Sequence, residues 1–146
     1  PVYLGRQHLG EPTPLRDDSI FLVASITKPV VATGAMLLIE RGQLTLADRV
    51  TDFIPEFGRN GKNGVEVRHL LTHTSGLPDM LPDNIELRQA NAPLETFVSR
   101  TCEEPLAFPP GRGVLYQSMG FAVLGEIIAR VTGMPCSQFL HRELFE

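Results

Sequence analysis

The feature that most constrains the fold is an apolar segment that runs from Ser25 to Arg41. It places apolar side chains on almost every face of a helix. Pro29 falls in the first turn, where a missing N–H is tolerated, and Gly42 is a natural C-terminal stop. A helix without a polar face is expected to be buried. The chain is therefore predicted to fold around this central helix, with Ser25 at its N-terminal end.

Most of the remaining sequence is also predicted to be helical. Hydrophobic periodicity predicts helices over residues 48–54, 67–74, 94–100, 119–132 and 137–145. Clusters of glycine and proline predict loops over residues 57–64, 77–93 and 105–113. A short strand fits only residues 1–10. So little strand is unusual for a self-contained α/β hydrolase and indicates part of a larger fold.

Composition excludes several classes of function. The 146 residues are 42% hydrophobic and 21% charged, enough for one buried core. The net charge is −4 and the basic residues are scattered, so neither nucleic acid nor an anionic membrane surface is expected as a partner. The longest apolar stretch is too short to span a bilayer, and the first residues lack a signal peptide, which leaves the compartment open.

The two cysteines, Cys102 and Cys136, lack the spacing of a metal site or of a redox pair. A domain of this size does not need a disulfide to be stable, so two free thiols are favoured. One disulfide between them is the alternative, and the sequence leaves it open.

Ser25 and Lys28 form an S-x-x-K motif. On a helix their Cβ atoms would lie about 5–6 Å apart, so the amine could reach the hydroxyl. A serine hydroxyl needs an adjacent base to become a nucleophile, and burial favours the neutral lysine that could serve as one. Alternatively, Ser25 is only a helix N-cap and Lys28 a solvated residue. The motif and its apolar setting do not decide between these interpretations.

Four segments, in the same order along the chain, resemble the β-lactamase-related serine hydrolases. The first is residues 21–28, the second residues 42–48 with 54–57, and the third residues 68–78. The fourth comprises residues 110–111, 116–118, 124–128 and 131–133. This superfamily contains class C β-lactamases, penicillin-binding proteins, D-amino-acid peptidases and carboxylesterases. The resemblance implies an α+β fold of the β-lactamase/transpeptidase type, of which residues 1–146 would form mostly the helical part, including the central nucleophile helix.

The resemblance also implies roles for individual residues. Ser25 would be the nucleophile, Lys28 its base, and Tyr116 would share the proton shuttle with the lysine. Ser118 would bind substrate as the third residue of the family's Tyr-x-Asn motif, where serine also occurs. A serine offers no amide to a substrate carbonyl. This departure favours a carboxylesterase or D-amino-acid peptidase over a β-lactamase.

The family's third motif, Lys-Thr-Gly or His-x-Gly on a strand, should follow the tyrosine and is not found. Residues 62–64 (Lys-Asn-Gly) imitate it, but they precede Tyr116 and are interpreted as a decoy. The strand would supply one oxyanion-hole N–H, and Ser25 the other. Residues 1–146 are therefore expected to form a partial domain, the N-terminal and middle part, whose active site is incomplete and inactive alone.

A zinc site is the main rival to this interpretation, because His69 and His73 have i, i+4 spacing. Leu70 stands where a zinc peptidase needs glutamate, so both histidines are predicted to be structural. No metal or organic cofactor is expected. The predicted function is a serine hydrolase that forms an acyl-enzyme with a small ester, amide or peptide substrate. The alternatives are a catalytically silent binding or scaffolding protein of the same fold, and a chain that does not fold alone.

Overall fold

The computed structural model describes all 146 residues, and their fold is almost entirely helical. Seven α-helices follow one another: α1 Thr27–Glu40, α2 Val50–Phe53, α3 Val67–Leu71, α4 Asn84–Gln89, α5 Leu94–Glu103, α6 Met119–Thr132 and α7 Cys136–Leu140. Two 3-10 segments, Ala24–Ile26 and Pro55–Gly64, and a π-helical turn, His141–Phe145, complete the regular structure.

No β-strand forms. Only two isolated bridges occur, between Arg6 and Pro14 and between Arg49 and Glu66. The short strand considered for residues 1–10 is therefore wrong, whereas the prediction of a mostly helical chain is confirmed.

The core is built around α6. This helix packs against α1, α2, α3, α5 and α7. It ends at Gly133, whose φ of +71° is the left-handed conformation that closes a helix. Both ends of α6 lie where the sequence predicted them. Because Ser118 immediately precedes α6, the packing of this helix also fixes the position of the Tyr116–Ser118 segment.

The helix α1 is buried on one face only. Val31, Ala35 and Leu38 lie in the core, where α1 packs on α6 and α7. In contrast, Met36 is 48% exposed and Ile26, just before the helix, is 65% exposed. The prediction that α1 is buried all round is wrong for these 146 residues, because the neighbouring helices cover a single face.

The predicted loop over residues 77–93 contains a helix, α4. Pro82 and Pro93 had indicated a loop, but both lie outside Asn84–Gln89 and therefore interrupt none of its hydrogen bonds. Conversely, α3 is shorter than predicted. It ends at Leu71, where the Thr72 hydroxyl donates to the Arg68 carbonyl and His73 adopts a φ of +60°.

The C-terminal residues form α7 and the π-helical turn in place of one continuous helix. Cys102 and Cys136 are both free thiols, as predicted. Burial raises the pKa of Cys136 to about 11, which makes it a poor nucleophile at neutral pH. No helix on its own is long and apolar enough to cross a bilayer. The helix α6 and the segment Cys136–Phe145 reach that length and hydropathy only together, and the chain bends by 76° between them.

Lys62 is a fully buried lysine that fastens the Pro55–Gly64 segment to the end of α5. Its ammonium donates to the carbonyls of Cys102, at 2.8 Å, and Glu104, at 2.5 Å. It also lies 5.6 Å from the centre of the Phe57 ring. Burial lowers the pKa of Lys62. These contacts give the lysine of the Lys-Asn-Gly decoy a structural role.

We expect Lys62→Met to reduce the free energy of unfolding by about 2 kcal/mol, because two carbonyls lose their donor. Urea denaturation measures this loss. Arg59→Ala is the matched control, since Arg59 contacts Glu103 in the same region through a largely exposed ion pair. Its loss should be below about 1 kcal/mol. Equal losses in the two variants would contradict the structural role of Lys62.

Candidate active site

Ser25 lies in the 3-10 turn that leads directly into α1. The residue before it, Ala24, has a φ of +46°, a left-handed conformation that costs an alanine about 1–2 kcal/mol. Sparsely populated conformations of this kind concentrate at functional sites. The turn leaves Ser25 exposed, and Lys28 follows it, half-buried, in the first turn of α1.

The structure brings all four predicted site residues together. The Tyr116 hydroxyl donates to Ser25 Oγ at 2.7 Å. Lys28 Nζ donates to Ser25 Oγ at 3.3 Å and to Ser118 Oγ at 3.1 Å. It also lies 4.6 Å from the centre of the Tyr116 ring. Residues 25 and 28 thus meet residues 116 and 118 in one hydrogen-bonded cluster, which local sequence spacing alone cannot produce.

The hydrogen bonds of the cluster change the acidity of Tyr116. Hydrogen bonding to Lys28 and, next, to Ser25 lowers the pKa of the Tyr116 phenol below its ordinary value. A more acidic phenol exchanges its proton more readily near neutral pH. The arrangement can therefore move a proton between Ser25 Oγ and a lysine–tyrosine pair.

Gln117 anchors the segment that carries Tyr116 and Ser118. Its fully buried side chain accepts a hydrogen bond from the Ser75 hydroxyl and donates to the carbonyls of His69 and Leu70, each at 3.1 Å. Tyr116 and Ser118 face the site on the other side of the chain. Sequence reasoning did not single out Gln117, although alternating orientation between two site residues is a signal for a buried anchor.

His73 contacts Tyr116 directly. Its ring centre lies 4.7 Å from that of Tyr116, and its Nδ1 accepts the backbone N–H of Gln117 at 3.1 Å. Burial and, next, the charge of Lys28 lower the pKa of His73, which favours the neutral ring that can accept this bond. His69 Nδ1 likewise accepts the backbone N–H of Glu66 at 3.0 Å. Each histidine thus has a specific structural hydrogen bond.

Asp79 is a further residue of the site that the sequence did not reveal. Its Oδ1 accepts the Ser118 hydroxyl at 2.7 Å and the Ser118 backbone N–H at 3.0 Å. Asp79 directly follows residues 68–78, one of the segments that resemble the family. Only this position in the sequence could have drawn attention to it.

A cavity of about 280 Å³ opens beside Lys28 and Ser118, between α1 and α6. Its lining is mostly apolar and comprises Ala24, Thr27, Lys28, Val31, Leu94, Ser118, Phe121, Ala122, Gly125 and Cys136. A mostly apolar cavity with a few polar groups is typical of a small-molecule site.

A family model described as Beta-lactamase matches residues 2–146. The chain belongs to the β-lactamase family. Its fold is accordingly that of the β-lactamases and transpeptidases, with these residues contributing a mostly helical part.

The relatives to which this chain is similar include an esterase and a penicillin-binding protein. It is 39% identical to esterase EstB of Burkholderia gladioli over 139 residues, 84% of this chain and 35% of the esterase. It is 35% identical to penicillin-binding protein 4* of Bacillus subtilis (strain 168) over 146 residues, 97% of this chain and 32% of that protein. The chain thus spans about a third of the length of these relatives.

Among solved structures of the β-lactamase fold, one similar protein is the D-amino acid amidase from Ochrobactrum anthropi SV3. The TM-score is 0.82 at 30% sequence identity, covering 97% of this chain and 39% of the amidase. This similarity agrees with the penicillin-binding protein-like and esterase-like character of the sequence relatives.

Proposed function

We propose that this chain carries the nucleophile and the proton-transfer pair of a serine hydrolase that works through an acyl-enzyme. The observation that carries the proposal is the hydrogen-bonded cluster of Ser25, Lys28 and Tyr116. A helix N-cap would not need a lysine and a tyrosine on the same hydroxyl, so the cluster favours the catalytic interpretation over the structural one.

In the proposed reaction, Ser25 Oγ attacks the carbonyl carbon of an ester or amide while its proton passes to the Lys28–Tyr116 pair. The pair then returns that proton to the leaving alcohol or amine as the bond to the carbonyl carbon breaks. Water next attacks the acyl-enzyme, giving up a proton to the same pair, and Ser25 Oγ takes a proton back on release of the acid. No metal or organic cofactor takes part in this scheme.

Esters and D-amino-acid amides are the substrate classes that we favour over β-lactams. Similarity to an esterase and to a D-amino acid amidase supports this ranking. The Ser118 hydroxyl also supports this ranking. It already contacts Lys28 and Asp79, and it has fewer hydrogen-bonding groups for a substrate amide than an asparagine side chain has. Ser118 is the proposed contact for the substrate.

The substrate ranking is tested with the longest natural chain that contains these residues. We expect kcat/KM for p-nitrophenyl butyrate or D-phenylalanine p-nitroanilide to exceed that for a chromogenic cephalosporin by about 100-fold. Ser118→Asn should reduce this ratio of kcat/KM values, because an asparagine amide can form hydrogen bonds with the cephalosporin side chain. Equal turnover of all three substrates by the unaltered protein would overturn the ranking while leaving the acyl-enzyme in place.

A further inference from the structure

The hydrogen bonds around Ser118 have a fixed direction. Asp79 Oδ1 receives both the Ser118 backbone N–H and the Ser118 hydroxyl proton, at 3.0 and 2.7 Å. The Asp79 backbone carbonyl receives the same N–H at 3.3 Å. An ionised carboxylate accepts hydrogen bonds and donates none, so the single proton of the Ser118 hydroxyl points towards Asp79.

This direction determines what Ser118 offers to Lys28. With its proton committed to Asp79, the hydroxyl presents only lone pairs to Lys28 Nζ, 3.1 Å away, and Lys28 must donate along that line. To act as the base in the proposed reaction, Lys28 needs a free lone pair on Nζ, and the remaining bonds of that nitrogen are N–H donors. Directing one N–H towards Ser118 restricts how the lone pair can turn towards Ser25 Oγ, the other neighbour of Lys28 Nζ at 3.3 Å.

We propose that Asp79 is a positioning residue which, through the Ser118 hydroxyl, orients Lys28 for proton transfer with Ser25. Asp79 touches neither the nucleophile nor the substrate site directly in this scheme. The inference rests on the proposed serine hydrolase function and extends it to a residue outside the S-x-x-K and tyrosine motifs.

Asp79 also has an ordinary structural role that the test must separate from positioning. Its carboxylate lies beside the N-terminus of the 14-residue helix α6, where a negative charge is favourable. Loss of this charge would destabilise α6 whatever residue stands at position 118. The positioning effect, by contrast, passes through the Ser118 hydroxyl, so removing Asp79 can abolish it only in a protein that still has this hydroxyl.

A double-mutant cycle provides the test. The second-order rate of Ser25 labelling by a fluorophosphonate is measured for the unaltered protein, Asp79→Ala, Ser118→Ala and the double variant, in the longest natural chain. We expect Asp79→Ala to slow labelling about ten-fold or more in the unaltered background, and less than about two-fold in the Ser118→Ala background. Melting temperatures of all four proteins are recorded in parallel.

A conservative variant adds a second readout. Asp79→Asn keeps an acceptor oxygen for Ser118 and removes the charge at α6, so it should restore much of the labelling rate relative to Asp79→Ala. Equal slowing by Asp79→Ala in both backgrounds, or no restoration by Asp79→Asn, would overturn the positioning role and leave only helix capping. An unaltered, folded protein that is not labelled on Ser25 would instead overturn the proposed function, and this inference with it.

Discussion

Lys28→Met is expected to slow acylation of Ser25 by about 10²–10⁴-fold, the usual contribution of a positioned general base. The physical reason is that Lys28 Nζ contacts Ser25 Oγ and the Tyr116 ring at once, so it is placed to exchange a proton with both. Methionine keeps the length and the apolar stem of the side chain but has no basic nitrogen. The rate of fluorophosphonate labelling, followed over time, measures the loss.

Lys28→Arg is the matched control for charge. An arginine places a positive charge beside Tyr116 but is not deprotonated in proteins, so it cannot act as a base. If Lys28 is the base, the arginine variant should be about as slow as the methionine variant. Labelling at the unaltered rate in Lys28→Arg would contradict the base role and leave Lys28 as an electrostatic partner of Tyr116.

Gly76→Ala is expected to reduce the free energy of unfolding by about 2–5 kcal/mol. Gly76 is buried and has a φ of +83°, a conformation that an L side chain rarely adopts. An added Cβ would also fall well inside van der Waals contact of the Phe108 carbonyl oxygen, which is backbone and cannot move aside easily. Urea denaturation, read as a shift of the midpoint, measures the effect.

Two other glycines separate the contributions to this loss. Gly133 has a φ of +71° but nothing within 4 Å of a Cβ, so Gly133→Ala should cost about 1–2 kcal/mol. Gly10 has neither a left-handed φ nor a near neighbour, and Gly10→Ala should stay within about 0.5 kcal/mol. A Gly76→Ala loss no larger than that of Gly133→Ala would show that residues 76 and 108 do not pack as described.

The packing at Gly76 matters for the site because it joins two loops. The Ala107 N–H donates to the Gly76 carbonyl at 2.9 Å, and the Gly111 N–H donates to the Thr74 carbonyl at 2.8 Å. These bonds place the end of the Pro- and Gly-rich loop beside the residues that hold Gln117. The position of Tyr116 therefore depends, through backbone hydrogen bonds, on a glycine outside the catalytic cluster.

Sequence patterns predicted the long helices well. The apolar period and Gly133 defined both ends of α6, and the segment from Ser25 placed α1 within two residues of its observed bounds. These elements are long, so their periodicity dominates local propensity. The short helices were less predictable: α4 was missed because prolines flank its six residues, and α3 was overextended because His73 leaves the helix.

The candidate site was predicted where short spacing or the family resemblance supplied a motif. Ser25 and Lys28 are three residues apart on one helix, and the resemblance supplied Tyr116 and Ser118. Asp79 could not be predicted in this way, because its contact with Ser118 joins positions 39 residues apart and depends on how a loop meets the start of α6. The position of Gln117 between two site residues is a signal for a buried anchor, but its partners lie 42–48 residues earlier in the chain and could not be predicted. The bond from the Gln117 N–H to His73 Nδ1 likewise joins distant positions, 44 residues apart.

Labelling with a fluorophosphonate probe tests directly whether Ser25 is an activated nucleophile. The longest natural chain that contains these residues is treated with the probe, and the adduct is located by peptide mass spectrometry, with Ser25→Ala and Lys28→Met as controls. We expect one adduct, on Ser25, that is absent in Ser25→Ala and strongly reduced in Lys28→Met. A folded protein with no adduct on Ser25 would contradict the role of Ser25 as an activated nucleophile and favour a catalytically silent binding protein of the same fold.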